Sequence, residues 1–148
     1  MIEKLEHENE AVARQIHKVF QHAYKIEAQL LGVSDFPPLS RAIDVIQQAT
    51  TLFYGVFDKH CIAAVIEIEL TDQQLDIHSL TVDPEYFRRG FANQLIRYVL
   101  DNKDYLTAIV ETAVGNFPAI QLYKKHGFIE YRRWTPSHGI PKLAMSVS

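Results

Sequence analysis

Two short stretches of this sequence hold residue types able to do chemistry. In the first, Arg88-Arg89-Gly90-Phe91-Ala92-Asn93 follows an apolar strand and leads into Phe91, Ala92, Leu95, Ile96, Val99 and Leu100, which recur at helical spacing. The first N–H groups of a helix have no intrahelical partner and carry the positive end of its dipole, so a phosphate seated there satisfies both. Gly90 and Ala92 let an anion approach the backbone, and Arg88 and Arg89 add charge. The plain alternative is a strand-to-helix turn with two solvated arginines. The second group is His78 and Asp76, which strand alternation puts on one face with Leu80, opposite Leu75, Ile77 and Ser79. An imidazole titrates near neutrality and takes a proton directly or through water. Its plain alternative is a partly exposed strand histidine with no task.

The elements that position these residues follow from periodicity. Residues 3–30 read as one helix, with Val12, Ile16, Val19, Phe20, Ala23, Ile26 and Leu30 recurring every three or four positions. Gly32 and Pro37-Pro38 break it, and Ser40 is placed to cap a shorter helix containing Ile43, Val45 and Ile46. Thr51–Phe57 and Cys61–Leu70 form a hairpin about Asp58-Lys59-His60. Cys61 reads as a buried small residue of an apolar strand; Glu67 and Glu69 share a strand face, a pair able to guide an amine substrate or relay protons, whose plainer reading is a solvated sheet face. The central strand from Leu75 ends at Asp83-Pro84, because proline cannot donate to the ladder. After the helix that follows Gly90, Tyr105–Thr112 is a strand. Gly115-Asn116 opens a further helix with Pro118 in its first turn and Gly127 as its stop. Phe128–Trp134 and Lys142–Val147 close the chain as an antiparallel pair.

The segments from Leu75 to Leu100 and from Val114 to Tyr131 together resemble the Gcn5-related N-acetyltransferase (GNAT) family. Its motifs have the forms V-x-P-x-x-[QR]-x-x-G-x-[GA] and N-x-x-A-x-x-x-Y-x-x-x-G-F. Val82, Pro84, Gly90 and Ala92 fit the first, and Asn116, Ala119, Tyr123, Gly127 and Phe128 the second. Phe87 stands where the family has Gln or Arg, which removes a side-chain contact to the cofactor and leaves the backbone contacts. The resemblance implies one α/β domain over residues 1–148, with a central mixed, twisted sheet of six to seven strands whose parallel pair is splayed, flanked by helices. It implies acetyl-CoA as cofactor, held by Leu80, Thr81, Val82, Arg88, Arg89, Gly90, Phe91, Ala92, Asn93, Asn116, Ala119 and Tyr123. In the family the tyrosine matching Tyr123 protonates the leaving thiolate, and a histidine or carboxylate base maps onto His78 and Asp76. Tyr24, Glu27, Asp35 and Phe36 stand where relatives place acceptor contacts. The structural alternative for Tyr123, Tyr24 and Phe36 is an aromatic packed in the core.

Acetylating an amine requires its neutral form. Neutralising a lysine-type amine of pKa about 10.4 at pH 7 costs about 4.6 kcal/mol, against about 1 to 1.5 for an α-amino group near 8. Peptide amines, free amino acids, polyamines and drug-like amines all remain open as acceptors, and a homodimer fits the family's habit. The second function class is an acyl-CoA-binding sensor or interaction module that holds the cofactor without turnover.

Composition narrows the field. With 148 residues, 47% hydrophobic, a single core is expected; a net charge of −3 argues against nucleic acid, and Arg132-Arg133-Trp134 reads as a solvated strand end or a contact to cofactor phosphate. One cysteine excludes an internal disulfide. No signal pattern or bilayer-length apolar run is present, which gives the expectation of a cytoplasmic protein without membrane contact. No Cys/His metal spacing, phosphate-binding loop, nucleophile elbow or dinucleotide fingerprint occurs, so no metal site is expected.

Overall fold

Apolar runs between Leu52 and Val82 pair as adjacent strands and frame the molecule. The computed structural model describes residues 1–148. Its elements are β1 (Ile2–Lys4), α1 (Glu10–Leu31), α2 (Ile43–Gln48), β2 (Leu52–Asp58), β3 (Cys61–Thr71), β4 (Gln74–Val82), α3 (Phe91–Asn102), β5 (Thr107–Ala113), α4 (Phe117–Lys125), β6 (Ile129–Trp134) and β7 (Lys142–Val147). They build one seven-stranded mixed sheet in the order β1-β2-β3-β4-β5-β7-β6, with β4 and β5 parallel and the other neighbours antiparallel. The parallel pair is zipped only from Gln74 and Thr107 to Ile77 and Val110. Beyond Ile77, β4 continues to Val82 with no strand partner on its β5 side, so the two strands part.

Alternation divides the apolar residues between two faces. Ile66, Ile68, Leu75 and Ile77 pack under Leu95, Ile96 and Val99 of α3 and Tyr123 of α4. Phe53, Ile62 and Val65 pack under Ile16, Val19 and Phe20 of α1 and Ile46 of α2. Each such side chain contributes roughly 1.5–3 kcal/mol by leaving water. No helix is long and apolar enough to cross a membrane.

The chain departs from its periodicity at five points. The helix expected over 3–30 is a strand and then a helix: Ile2 pairs with Val56, and α1 begins after Asn9, whose side chain accepts from the N–H groups of Ala11 and Val12. Asn9 is a good cap, and a three-residue strand before it is too short to show a period. Ser40 caps nothing; it ends a 3₁₀ turn over Pro37–Ser40, and α2 starts after Ala42 without a side-chain cap. Cys61 is exposed, because the buried run of β3 begins only at Ile62, one residue after the turn. Strict alternation along β4 fails at His78, where pairing with β3 steps from Glu67/Ser79 to Ile68/Ile77. This β-bulge inserts one residue, so Leu80 and Val82 pack on the same core as Leu75 and Ile77 instead of siding with His78. Last, Glu67 is buried and not part of a solvated face.

Candidate active site

The gap between β4 and β5 opens into two cavities whose walls share Tyr24, Glu27, Leu80, Asn116, Ala119 and Tyr123. One, of about 540 Å³, runs from that meeting point to the turn before α3. The turn forms because Arg88 and Gly90 both adopt left-handed backbone, φ 66° and 76°, which glycine holds without strain and arginine does not. No side chain caps α3, so its first N–H groups face the cavity mouth unpaired. Ile26 and Leu30, which as helix-periodic residues would be assigned to the core, are 40% and 50% exposed and line this cavity with Phe87. Its walls suit a ligand that is apolar along its length and anionic at its end.

The second cavity, about 460 Å³, also reaches Tyr123 and is lined by Phe36, Pro37, Arg41, His78, Glu111 and Lys142. Arg41 and Ser79 of its lining are bonded to Glu67, only 2% exposed, whose carboxylate accepts from both terminal nitrogens of Arg41 at 2.6 and 3.0 Å, from Thr51 at 2.7 Å and from Ser79 at 3.3 Å. Burial works to raise the Glu67 carboxyl, but the Arg41 and Thr51 hydrogen bonds with the guanidinium charge outweigh it, leaving it below the usual glutamate range. Lys142 Nζ meets Glu111 at 3.0 Å and His78 Nε2 meets Glu69 at 3.0 Å.

Where the cavities meet, three titratable groups lie in low dielectric. Tyr123 is 4% exposed and stacked edge-on against Phe128 at 5.5 Å. Desolvation, then Tyr24 and Glu27, push its hydroxyl above the ordinary tyrosine value, so it stays protonated at neutral pH. Desolvation likewise raises Tyr24, with Glu27 adding to it, and raises the Glu27 carboxyl against the opposing effects of Asn116 and Lys142. Asn116 also caps α4 by accepting the Ala119 N–H at 3.2 Å.

The sequence-derived residues thus fall into groups. Leu80, Thr81, Val82, Arg88, Gly90, Phe91, Ala92, Asn93, Asn116, Ala119 and Tyr123 all line the cavity toward α3. Arg89 does not; its guanidinium goes over the Tyr86 ring at 5.2 Å and to Asp58 at 3.6 Å. His78 lines the second cavity, whereas Asp76 stands beside it with its carboxylate bonded to Gln74 at 2.8 Å, outside both. Tyr24, Glu27 and Phe36 are in the walls; Asp35 is exposed elsewhere. Arg132 packs over Trp134 at 4.4 Å and Arg133 pairs with Glu130, a strand end closed on itself. Sequence reading missed Arg41, Glu111, His138 and Lys142. Arg41 and Glu67 are 26 positions apart, and Glu111 and Lys142 are 31 apart, so only the folded chain brings each pair together.

A sheet that parts along its one parallel pair, with an uncapped helix start at one end of the opening, defines an α/β protein with a cleft between its own strands. The chain belongs to the acetyltransferase (GNAT) family, whose pattern matches residues 13–128. It is 35% identical over 129 residues to the UPF0157 protein YqkA of Bacillus subtilis, covering 86% of this chain and 38% of that protein. It is 29% identical over 102 residues to the uncharacterized N-acetyltransferase YedL of Escherichia coli, covering 64% of each. The chain therefore spans less than two thirds of both relatives. Among solved structures, the ribosomal-protein-S18-alanine N-acetyltransferase of E. coli superposes with TM-score 0.78 at 19% identity, covering 99% of this chain and 92% of that one. The PaiA N-acetyltransferase of Thermoplasma acidophilum, solved with coenzyme A, superposes with TM-score 0.77 at 15% identity, covering 99% and 96%.

Proposed function

We propose that this chain is an acetyl-CoA-dependent N-acetyltransferase that acetylates a primary amine by direct attack of the amine on the thioester. The observation that carries the reading is the pair of cavities meeting at Tyr123, one leading to an uncapped helix start and the other to a ring of polar side chains. The fold's likeness to a coenzyme A complex and the name of the E. coli relative support it.

The residues present fit such a cofactor. The open N–H groups of Phe91, Ala92 and Asn93, with Arg88, suit a diphosphate, and the unpartnered β4 backbone from Leu80 to Val82 suits the amides of a pantetheine arm. Bound there, acetyl-CoA supplies the electrophilic carbonyl and a thiolate leaving group. The chain supplies the rest: a backbone N–H near Leu80 or Val82 steadies charge on the carbonyl oxygen, and Tyr123 provides the proton for the departing sulfur. His78, oriented by Glu69, takes the amine's proton directly or through water, with Asp76 beside it.

Calorimetry with acetyl-CoA followed by a thiol-release assay over a panel of amines tests this. Binding and acceptor-dependent release are expected. Tyr123→Phe should bind acetyl-CoA within about twofold of the wild type while turnover falls by about 100-fold or more. Binding with no release under any acceptor would instead favour the sensor class, and no binding would sink both.

A further inference from the structure

The second cavity is supplied with positive charge that is already matched and with one negative charge that is not. Arg41 holds Glu67 bidentately and Lys142 holds Glu111, while the His78 imidazole is hydrogen-bonded to Glu69. The remaining histidine, His138, accepts the Ile140 N–H at Nδ1, so that nitrogen offers a lone pair and not a proton. Glu27 is the exception. No cation lies within ion-pair distance of it, and Tyr24, Asn116 and Tyr123, which line both cavities with it, bring no charge. Lys142 acts on it only from a distance, being engaged with Glu111 at 3.0 Å. Phe36, Pro37, Pro38 and Ile140 give the same cavity an apolar wall.

We infer that the acceptor is a primary amine with an apolar body and no carboxylate beside its nitrogen, docked through its ammonium on Glu27, and that free amino acids are rejected. The inference rests on the N-acetyltransferase reading above and narrows it. Its physics is that of charges leaving water. A carboxylate entering this cavity gives up hydration and finds every cation already neutralised, whereas an ammonium finds an unmatched carboxylate. Glu27 gains from the encounter too, because its ionised form is disfavoured by desolvation until a cation arrives. Glu27 is in this way a specificity-determining residue, standing with Asn116, Tyr24 and Tyr123 where the two cavities join.

Matched pairs that differ only in the carboxylate test the assignment: tyramine against tyrosine, and cadaverine against lysine, with tyrosinamide as a third member of the first set. Binding of each to the full chain saturated with coenzyme A is followed by calorimetry, and thiol release is followed separately with acetyl-CoA. Tyramine and tyrosinamide should bind about tenfold more tightly than tyrosine, and cadaverine more tightly than lysine. Glu27→Gln, checked for folding by its melt, should weaken tyramine and cadaverine binding about tenfold. Glu111→Gln, which frees Lys142, should shift preference toward tyrosine. Equal binding within the pairs, no binding by any member, or tyramine binding that Glu27→Gln leaves unchanged overturns the inference. Selective amine binding without thiol release would stand against the transferase reading and leave the docking role of Glu27 intact. Release that is as fast with tyrosine as with tyramine would do the reverse.

Discussion

A carboxylate that is 2% exposed within a sheet needs its charge answered, and Glu67 is answered by Arg41, Thr51 and Ser79 together. Removing one partner of such a pair is worse than removing both, because the survivor stays half-buried and uncompensated. Glu67→Ala should therefore cost about 3 kcal/mol, lowering the melting temperature by about 6–10 °C in a chain of this size. A double variant, Arg41→Met with Glu67→Met, should lose less than Glu67→Ala alone. Thermal melts of the three variants measure this, and a double variant less stable than the single one would refute the pairing argument. Sequence could not place this residue. Glu67 and Glu69 sit two apart on a strand and look alike; what separates them is a guanidinium from the loop before α2, which no local pattern relates to β3. His78 and Asp76 were legible as neighbours on one strand, but the bulge that lets Leu80 rejoin the core leaves no mark in residue type.

At the scale of elements, strand, turn and helix around Gly90 were the most legible part of the chain. The period changes from two to about 3.6 there, and glycine marks the left-handed residue between them. β1 was illegible for the opposite reason: three residues carry no period, and only pairing with Leu52–Asp58 makes them a strand. The splay of β4 from β5 is likewise a property of register, set where the pairing stops at Ile77 and Val110. The start of α3 makes its own prediction. A Cβ at Gly90 meets no atom within 4 Å, so the difficulty of Gly90→Ala is backbone strain at φ 76°, about 1 kcal/mol, and not a clash. Gly90→Glu adds a carboxylate at the turn proposed to hold phosphate. Calorimetry should find coenzyme A affinity modestly reduced in Gly90→Ala and reduced about tenfold or more in Gly90→Glu. Equal affinity in Gly90→Glu and the wild type would remove the anion-binding role from this turn.

For the whole molecule, the cleft and the core place opposite demands on acidic side chains, and pH separates them. Glu67 titrates below the usual glutamate value of 4.5 in the folded chain, so it contributes stability above that pH which is lost as pH falls through its folded value. Glu27 titrates above 4.5 when folded, so its favourable contribution is complete below that pH and is lost as pH rises through its folded value. At neutral pH the chain is thus stabilised by one carboxylate and destabilised by the other, and the destabilising one lines the cavities. Glu67→Gln should melt below the wild type at about pH 7.5, and the gap should narrow in acid as the wild type loses its ion pair. Glu27→Gln should melt above the wild type at about pH 7.5, with the two converging at about pH 3.5, where Glu27 is protonated and resembles glutamine. Adding tyramine with coenzyme A should erase part of that advantage, since a cation on Glu27 stabilises only the wild type. Parallel melts of the three proteins across this range check both signs at once, and a Glu27→Gln variant less stable than wild type at neutral pH would show that the cleft carboxylate is matched by a cation after all.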